Sequence, residues 1–175
     1  NGLIHVGPET RPAGRLGEPA SIQLGESLRA IGLVWGRLKT GTPPRLAKGS
    51  IEYDGLKEER GDVEPVPFSF STGRVEREQV LCHIIHTGDK AHGLVRKHLA
   101  ESPLYNGQIQ GIGPRYCPSL EDKVMRFPER ERHQLFLEPE GVDVEEVYLS
   151  GCSMSLPASV QERIVRSLPG LSQAE

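Results

Sequence analysis

One stretch of the chain sets a lone cysteine among cations, carboxylates and a tyrosine: Gly113-Pro114-Arg115-Tyr116-Cys117-Pro118-Ser119-Leu120-Glu121-Asp122-Lys123-Val124-Met125-Arg126-Phe127. A cysteine in such company is a candidate nucleophile. The thiolate is the reactive form of the side chain, and Arg115 and Lys123 bring positive charge to Cys117. Pro118 and the Ser119-x-x-Asp122 capping pattern predict a helical turn opening just after the thiol, and a helix amino end also favours a thiolate. The alternative is a buried packing role, the common fate of a free cysteine.

A second cluster of cations, Arg37, Lys39 and Arg45, surrounds Thr40, Gly41 and Thr42. Backbone amides, hydroxyls and cations at this spacing suit an anion, either a cofactor phosphate or an RNA backbone; a solvated basic turn is the plain alternative. Neither a Walker-type Gly-Lys-Ser/Thr triplet nor a Gly-x-Gly-x-x-Gly between strand and helix occurs here. Cys82, His83, His86 and His92 lie close in sequence, but on a strand Cys82 and His86 share one face while His83 points to the other. No Cys-x-x-Cys or His-x-x-x-His partner completes a tetrahedral set, and no metal is expected. Glu138 and Glu140 read either as an acid/base pair or, around Pro139 and Gly141, as a rigid turn.

The elements that must position these groups follow from periodicity. Residues 3–6 read as a strand and residues 10–17 as a loop. Pro19, Ala20, Leu24, Leu28 and Ile31 predict a helix closed by Gly32, followed by a strand over 33–38. Residues 40–70, with Pro43, Pro44, Pro65 and Pro67 and the charged run 57–62, should be mostly loop with short strands near Ile51 and Phe68. A strand over 80–87, a helix through Ala91, Leu94, Val95 and Leu99 that ends before Pro103, and a strand over 108–112 come next, which predicts a mixed sheet with one helix. Strands over 134–137 and 145–149 then precede a helix from about Ala158, carrying Val160, Ile164, Val165 and Leu168 and ended by Pro169 and Gly170.

Composition narrows the class. A chain of 175 residues with 36% hydrophobic and 26% charged residues is long enough for one globular domain or two small lobes. Its 20 Gly and 14 Pro foretell much loop. The net charge of −3 gives no global pull toward nucleic acid, so RNA contact must come from local clusters. Three widely spaced cysteines argue for reduced thiols in the cytoplasm rather than a disulfide frame. No apolar run approaches the roughly 20 residues that span a bilayer.

The 113–127 run stands in order with Gly36-Arg37-Leu38-Lys39-Thr40-Gly41-Thr42-Pro43-Pro44-Arg45, Pro67-Phe68-Ser69-Phe70, His133-Gln134-Leu135-Phe136-Leu137-Glu138-Pro139-Glu140-Gly141 and Ser155-Leu156-Pro157. Together these resemble the motifs of the MnmG (GidA) family, the FAD-dependent subunit of the machinery that modifies the wobble uridine of certain tRNAs at carbon 5. The likeness runs nearly end to end. Cys152 departs from the family's Asn-Gly-x-Ser-Thr-Ser-Leu-Pro pattern, which reads here Ser-Gly-Cys-Ser-Met-Ser-Leu-Pro, and is expected to pack; Cys82 matches a recurrent strand cysteine and is expected to be structural.

The resemblance implies an α/β fold, part of a Rossmann-like FAD-binding domain with an inserted smaller mixed α/β lobe: residues 1–40 and 113–175 in the flavin domain and 41–112 inserted. It implies nicotinamide-dinucleotide binding along 113–127, a required cysteine at Cys117, and a flavin contact at Ser21, just inside the first helix. Arg115 or Lys123 would then steady an enolate oxygen. Implied cofactors are FAD and NADH, with methylene-tetrahydrofolate as one-carbon donor. Implied partners are tRNA, an MnmE-type GTPase and a second copy in a homodimer, with no membrane. With no initiator Met, and with the family several times longer, the chain is expected to be an internal fragment. Lacking the flavin fingerprint and an upstream cysteine that the family requires, it is expected to be inactive alone. Two other readings stay open: a folate-dependent tRNA uracil C5-methyltransferase, which shares the Thr-Gly-Thr-Pro-Pro-Arg element, and a non-catalytic lobe that binds tRNA or a partner.

Overall fold

The computed structural model describes residues 2–14 and 17–175. The amino-terminal strand β1 (Leu3–Val6) forms as predicted and turns through Gly7 into β2 (Glu9–Pro12), with which it pairs antiparallel. The loop expected over 10–17 is therefore corrected at Thr10, Arg11 and Pro12, because Gly7 and Pro8 make the turn one step earlier; Arg15 and Leu16 lie outside the described residues. Gly7 takes φ of 55°, and a Cβ there would come within 2.8 Å of Pro157. Its amide donates to the Ser155 carbonyl at 2.8 Å, so the hairpin is moored to the segment around residue 155.

Helix α1 (Ile22–Ala30) begins after Ser21, later than Pro19 suggested, and ends before Gly32, whose φ of 83° suits that terminus. None of its residues is buried. The stretch 33–38 does not become a strand, nor does 108–112. The two meet only through a parallel bridge between Leu38 and Ile112 and a 3.1 Å bond from the Lys39 amide to the Ile112 carbonyl. Each run is apolar enough to suggest a strand, yet among the described residues neither gains a ladder of partners to hold it extended.

The principal sheet has five strands in the order β3 (Arg45–Ala47), β7 (Glu146–Ser150), β6 (Gln134–Pro139), β5 (Cys82–His86) and β4 (Lys57–Glu59). Every pairing in it is antiparallel, not mixed as expected, and its strands come from both sides of residue 113. The inner strands β5, β6 and β7 fall where period-2 patterning put them. The outer ones do not: Ile51 follows a 3₁₀ turn (Lys48–Ser50) and Phe68 lies exposed in irregular chain. One edge, β4, is instead made of the charged residues Lys57, Glu58 and Glu59, which is common for a strand with one side in solvent, while β3 is Arg45-Leu46-Ala47 with Leu46 buried.

Leu135, Leu137, Val147 and Leu149 alternate onto one face of this sheet. Against that face lie α2 (Asp89–His98), α3 (Leu120–Arg126) and α4 (Ala158–Val165), with α2 touching both others. Ala91 and Val95, Leu120 and Val124, and Val160, Ile164 and Val165 supply their buried sides. The mixed α/β composition is as the sequence predicted. Deleting the Leu149 side chain by Leu149→Ala should cost about 2–5 kcal/mol of unfolding free energy in urea titration. Leu24→Ala, on the exposed α1, should stay within about 0.5 kcal/mol, and equal losses at the two sites would contradict this placement of the core.

Candidate functional site

The 113–127 run divides into two parts. Gly113, Arg115, Tyr116 and Cys117 are exposed, while α3 begins at Leu120 and turns Leu120, Glu121 and Val124 inward. The predicted capping box is complete: Ser119 Oγ accepts the Asp122 amide at 3.0 Å, and Asp122 Oδ2 accepts the Ser119 amide at 3.3 Å. The Leu120 amide reaches back to the Ser153 carbonyl at 2.6 Å, which seats the helix amino end on the chain leaving β7. Pro114 and Pro118 are half-buried, and Met125, Arg126 and Phe127 return to the surface.

Cys117 is exposed, and its sulfur lies 3.3 Å from Thr40 Oγ1. Two segments 77 residues apart in sequence thus meet at the thiol. Arg115 lies over the Tyr116 ring, 5.2 Å from its centroid. Lys123 turns inward, and its ammonium donates to the Gly151 carbonyl at 2.8 Å. Burial pulls that ammonium below the usual lysine range, with the Cys152 and Cys117 sulfurs opposing the shift. Lys123 is therefore within electrostatic reach of Cys117 while committed to a backbone carbonyl.

The other two cysteines differ sharply. Cys152 is fully buried in the core, and burial pushes its thiol up to about 12, Lys123 opposing and Glu121 adding, so it stays neutral and packs as expected. Cys82 is half-buried on β5, and burial together with Glu138 and Glu59 also raises its thiol. Among the described residues no group of three or more His, Cys, Asp or Glu side chains is placed to hold a metal.

Beside Thr40 opens a cleft of about 780 Å³. It is walled by Ser21, by Leu24 and Leu28 of α1, by Trp35 to Thr42, by the β1 strand and by Ser155. Arg37 and Lys39 line it, and the Lys39 ammonium also reaches the Leu104 carbonyl at 3.5 Å. Arg45 does not line it; its Nε pairs with Glu140 Oε1 at 2.7 Å. The three cations of the basic cluster are thus separated, two on the cleft and one behind it. Glu140 is held in an ion pair with Arg45, and Glu138 lies on β6.

Sequence reasoning missed Trp35 and Ser155 as wall residues, and took Thr40 as part of an anion-binding turn without its contact to Cys117. It took in Glu121 only as a member of the run. That carboxylate has no solvent exposure and accepts the Ser155 amide at 2.9 Å and Ser102 Oγ at 3.1 Å. The available signal was its place on the same helix face as Leu120 and Val124, where a carboxylate must find internal donors.

A second buried polar group joins α2 to the strand β6. The Thr87 hydroxyl takes the His133 amide at 2.8 Å and lies 2.7 Å from His92 Nε2, so its own proton is available to a neutral His92 ring. Burial lowers both histidines from their ordinary value. Arg96 adds to the shift at His92 against Asp89, while His92, Lys123 and Arg130 add to it at His133 against Glu129. With folded values below the free 6.5, the unfolded chain takes up protons first. Stability is then fully present above about pH 6.5 and is lost as pH falls toward the folded values. The urea midpoint should drop between about pH 7.5 and 5.5, and the drop should shrink in a His92→Gln/His133→Gln double variant.

Comparison with known proteins gives this geometry a family. The family model described as "Glucose inhibited division protein A" matches residues 1–175. The tRNA uridine 5-carboxymethylaminomethyl modification enzyme MnmG of Geobacter sulfurreducens is 53% identical over 174 residues, covering 99% of this chain and 28% of that protein. Its namesake from Thermodesulfovibrio yellowstonii is 51% identical over 175 residues, covering 100% of this chain and 28% of that protein. The Aquifex aeolicus GidA structure in its form I crystal superposes with a TM-score of 0.84 at 47% identity, over 100% of this chain and 30% of that one. The chain thus spans a little over a quarter of the length of these relatives. With the match running from one end of the sequence to the other, the chain belongs to the glucose inhibited division protein A family.

Proposed function

We propose that the chain is the portion of a tRNA-modifying flavoenzyme that presents the nucleophile to the wobble uridine. The observation that carries this reading is the exposed Cys117 sulfur, 3.3 Å from a hydroxyl that itself lines the large cleft. The names of the relatives support tRNA uridine as the substrate. The cleft walls fit a flavin: Leu24, Leu28, Trp35 and Leu38 offer apolar surface for a flat ring, and Arg37 and Lys39 offer charge for a diphosphate. Ser21 lies where α1 begins, at the positive end of its dipole, and would meet such a phosphate. Residues 113–127 would hold the nicotinamide dinucleotide, their exposed half offering Tyr116 and Arg115 as a stacking surface. NADH, FAD and methylene-tetrahydrofolate together would supply the reducing equivalents and the one-carbon unit.

The work of this chain's own residues is then limited and definite. The Cys117 thiolate adds to carbon 6 of the uracil, forming the S–C6 bond and sending the C5–C6 electron pair toward carbon 5 and the 4-oxygen. Arg115, exposed beside the thiol, would steady that oxygen. Lys123 would act through its charge from the buried side, since its ammonium is bonded to Gly151. Once carbon 5 has taken the one-carbon electrophile, loss of its proton expels the thiolate and restores the ring. An MnmE-type GTPase and a second copy of the full-length protein complete the working assembly in the cytoplasm.

The test replaces Cys117 in a full-length parent that is folded and flavin-loaded. In cells relying on Cys117→Ser, mass spectrometry of tRNA nucleosides should show loss of the aminomethyl-type product, by at least about a hundredfold as expected for removal of a covalent nucleophile. Retained product would remove Cys117 from the chemistry. A methyl product in the unaltered parent would instead make the enzyme a uracil methyltransferase. Unchanged tRNA affinity alongside lost product separates catalysis from binding.

A further inference from the structure

Arg45 entered as a candidate anion ligand, yet its contacts point elsewhere. Its Nε donates to Glu140 Oε1 at 2.7 Å, and one terminal nitrogen donates to both Thr42 Oγ1 at 3.1 Å and the Pro43 carbonyl at 3.3 Å. The flat guanidinium lies 4.7 Å from the centroid of the Tyr148 ring. The fork therefore ties the 42–43 backbone to Glu140, just beyond β6, and to the Tyr148 face of β7. A lysine would keep the charge but could not span these partners and stack at once.

What the fork fixes is the approach to the thiol. Thr42 bridges Met154, and a Cβ on Gly41 would lie 2.8 Å from Ser153 Cβ, so residues 41 and 42 are pressed onto the chain that leaves β7. Thr40 is the next residue outward, where its hydroxyl lies 3.3 Å from the Cys117 sulfur and 3.4 Å from the Gly41 carbonyl. Arg45 braces this segment from behind and touches neither the thiol nor the cleft. We propose that Arg45, anchored by Glu140 and Tyr148, is a positioning residue that holds the Thr40 hydroxyl against the Cys117 sulfur, where it donates a hydrogen bond to the thiolate. The proposal rests on the reading of Cys117 as nucleophile and gives that nucleophile a two-step support.

The test reads the thiol directly. Iodoacetamide alkylation, followed peptide by peptide by mass spectrometry, distinguishes exposed Cys117 from half-buried Cys82 and buried Cys152. Thr40→Val should slow alkylation of Cys117 at neutral pH by about threefold to tenfold, the effect of one lost hydrogen bond to a thiolate. Arg45→Met should slow it comparably when Thr40 is present and add nothing in the Thr40→Val background, and Arg45→Lys should not restore the rate. A purely structural role for Arg45 predicts equal slowing in both backgrounds, and that result, or no slowing at all, would overturn the proposal. Should Arg45→Met not fold by circular dichroism, Glu140→Gln takes its place under the same criteria. The assay uses neither tRNA nor cofactor, so its failure is distinct from failure of uridine modification in Cys117→Ser.

Discussion

The fold around the site depends on one carboxylate with no contact to solvent. Glu121 accepts the Ser155 amide and the Ser102 hydroxyl through a single oxygen, and Ser155 Oγ lies 2.9 Å from the same Ser102 hydroxyl. The Ser155 hydroxyl also takes the Leu104 amide, and its carbonyl takes the amide of Gly7. Through that one serine, α3, the end of the α2 region and the amino-terminal hairpin share an anchor. Burying a carboxylate is costly without internal donors, and since Oε1 takes all of them while Oε2 finds none among the described residues, losing the segment of either serine would leave the group barer. The wall of the cleft and the start of α3, three residues beyond Cys117, are thereby set by the same contact.

Local signals in the sequence translated well. The capping box at Ser119 and Asp122 is a four-residue device that needs no distant partner, and it appears where the pattern put it. The inner strands β5, β6 and β7 and the helices α2 and α4 were legible because burial on one side writes a period of 2 or 3.6 into the residues. The outer strands were not legible: in β4, Lys57, Glu58 and Glu59 leave no apolar alternation, and β3 is three residues long, too short to show a period. The false strands over 33–38 and 108–112 err in the other direction: apolar residues there meet one bridge rather than a ladder.

Of the candidates named from the sequence, Ser21, Arg37 and Lys39 line the cleft and Cys117 stands beside Thr40, an arrangement that the spacing does not contain. Nothing in the spacing of Thr40 and Cys117 says that they touch, because that contact is made by tertiary closure across 77 residues. Likewise the basic cluster reads as one patch in sequence, yet Arg45 turns to Glu140 while Arg37 and Lys39 stay on the cleft. A guanidinium with a carboxylate, a carbonyl and an aromatic face within reach satisfies itself internally, and only the fold reveals those partners.

The two margins of the five-stranded sheet are closed by different means. On one side the Ala47 amide is taken by the Glu175 carbonyl at 2.7 Å, so the backbone at residue 175 occupies a hydrogen-bonding position on β3. On the other, β4 presents Lys57, Glu58 and Glu59, all exposed. A second copy approaching that margin would have to strip water from charged side chains before its backbone could pair. The sheet is thus poorly suited to recruit another strand, and intermolecular β-aggregation at this edge is disfavoured by the same charged residues that concealed the strand from periodicity.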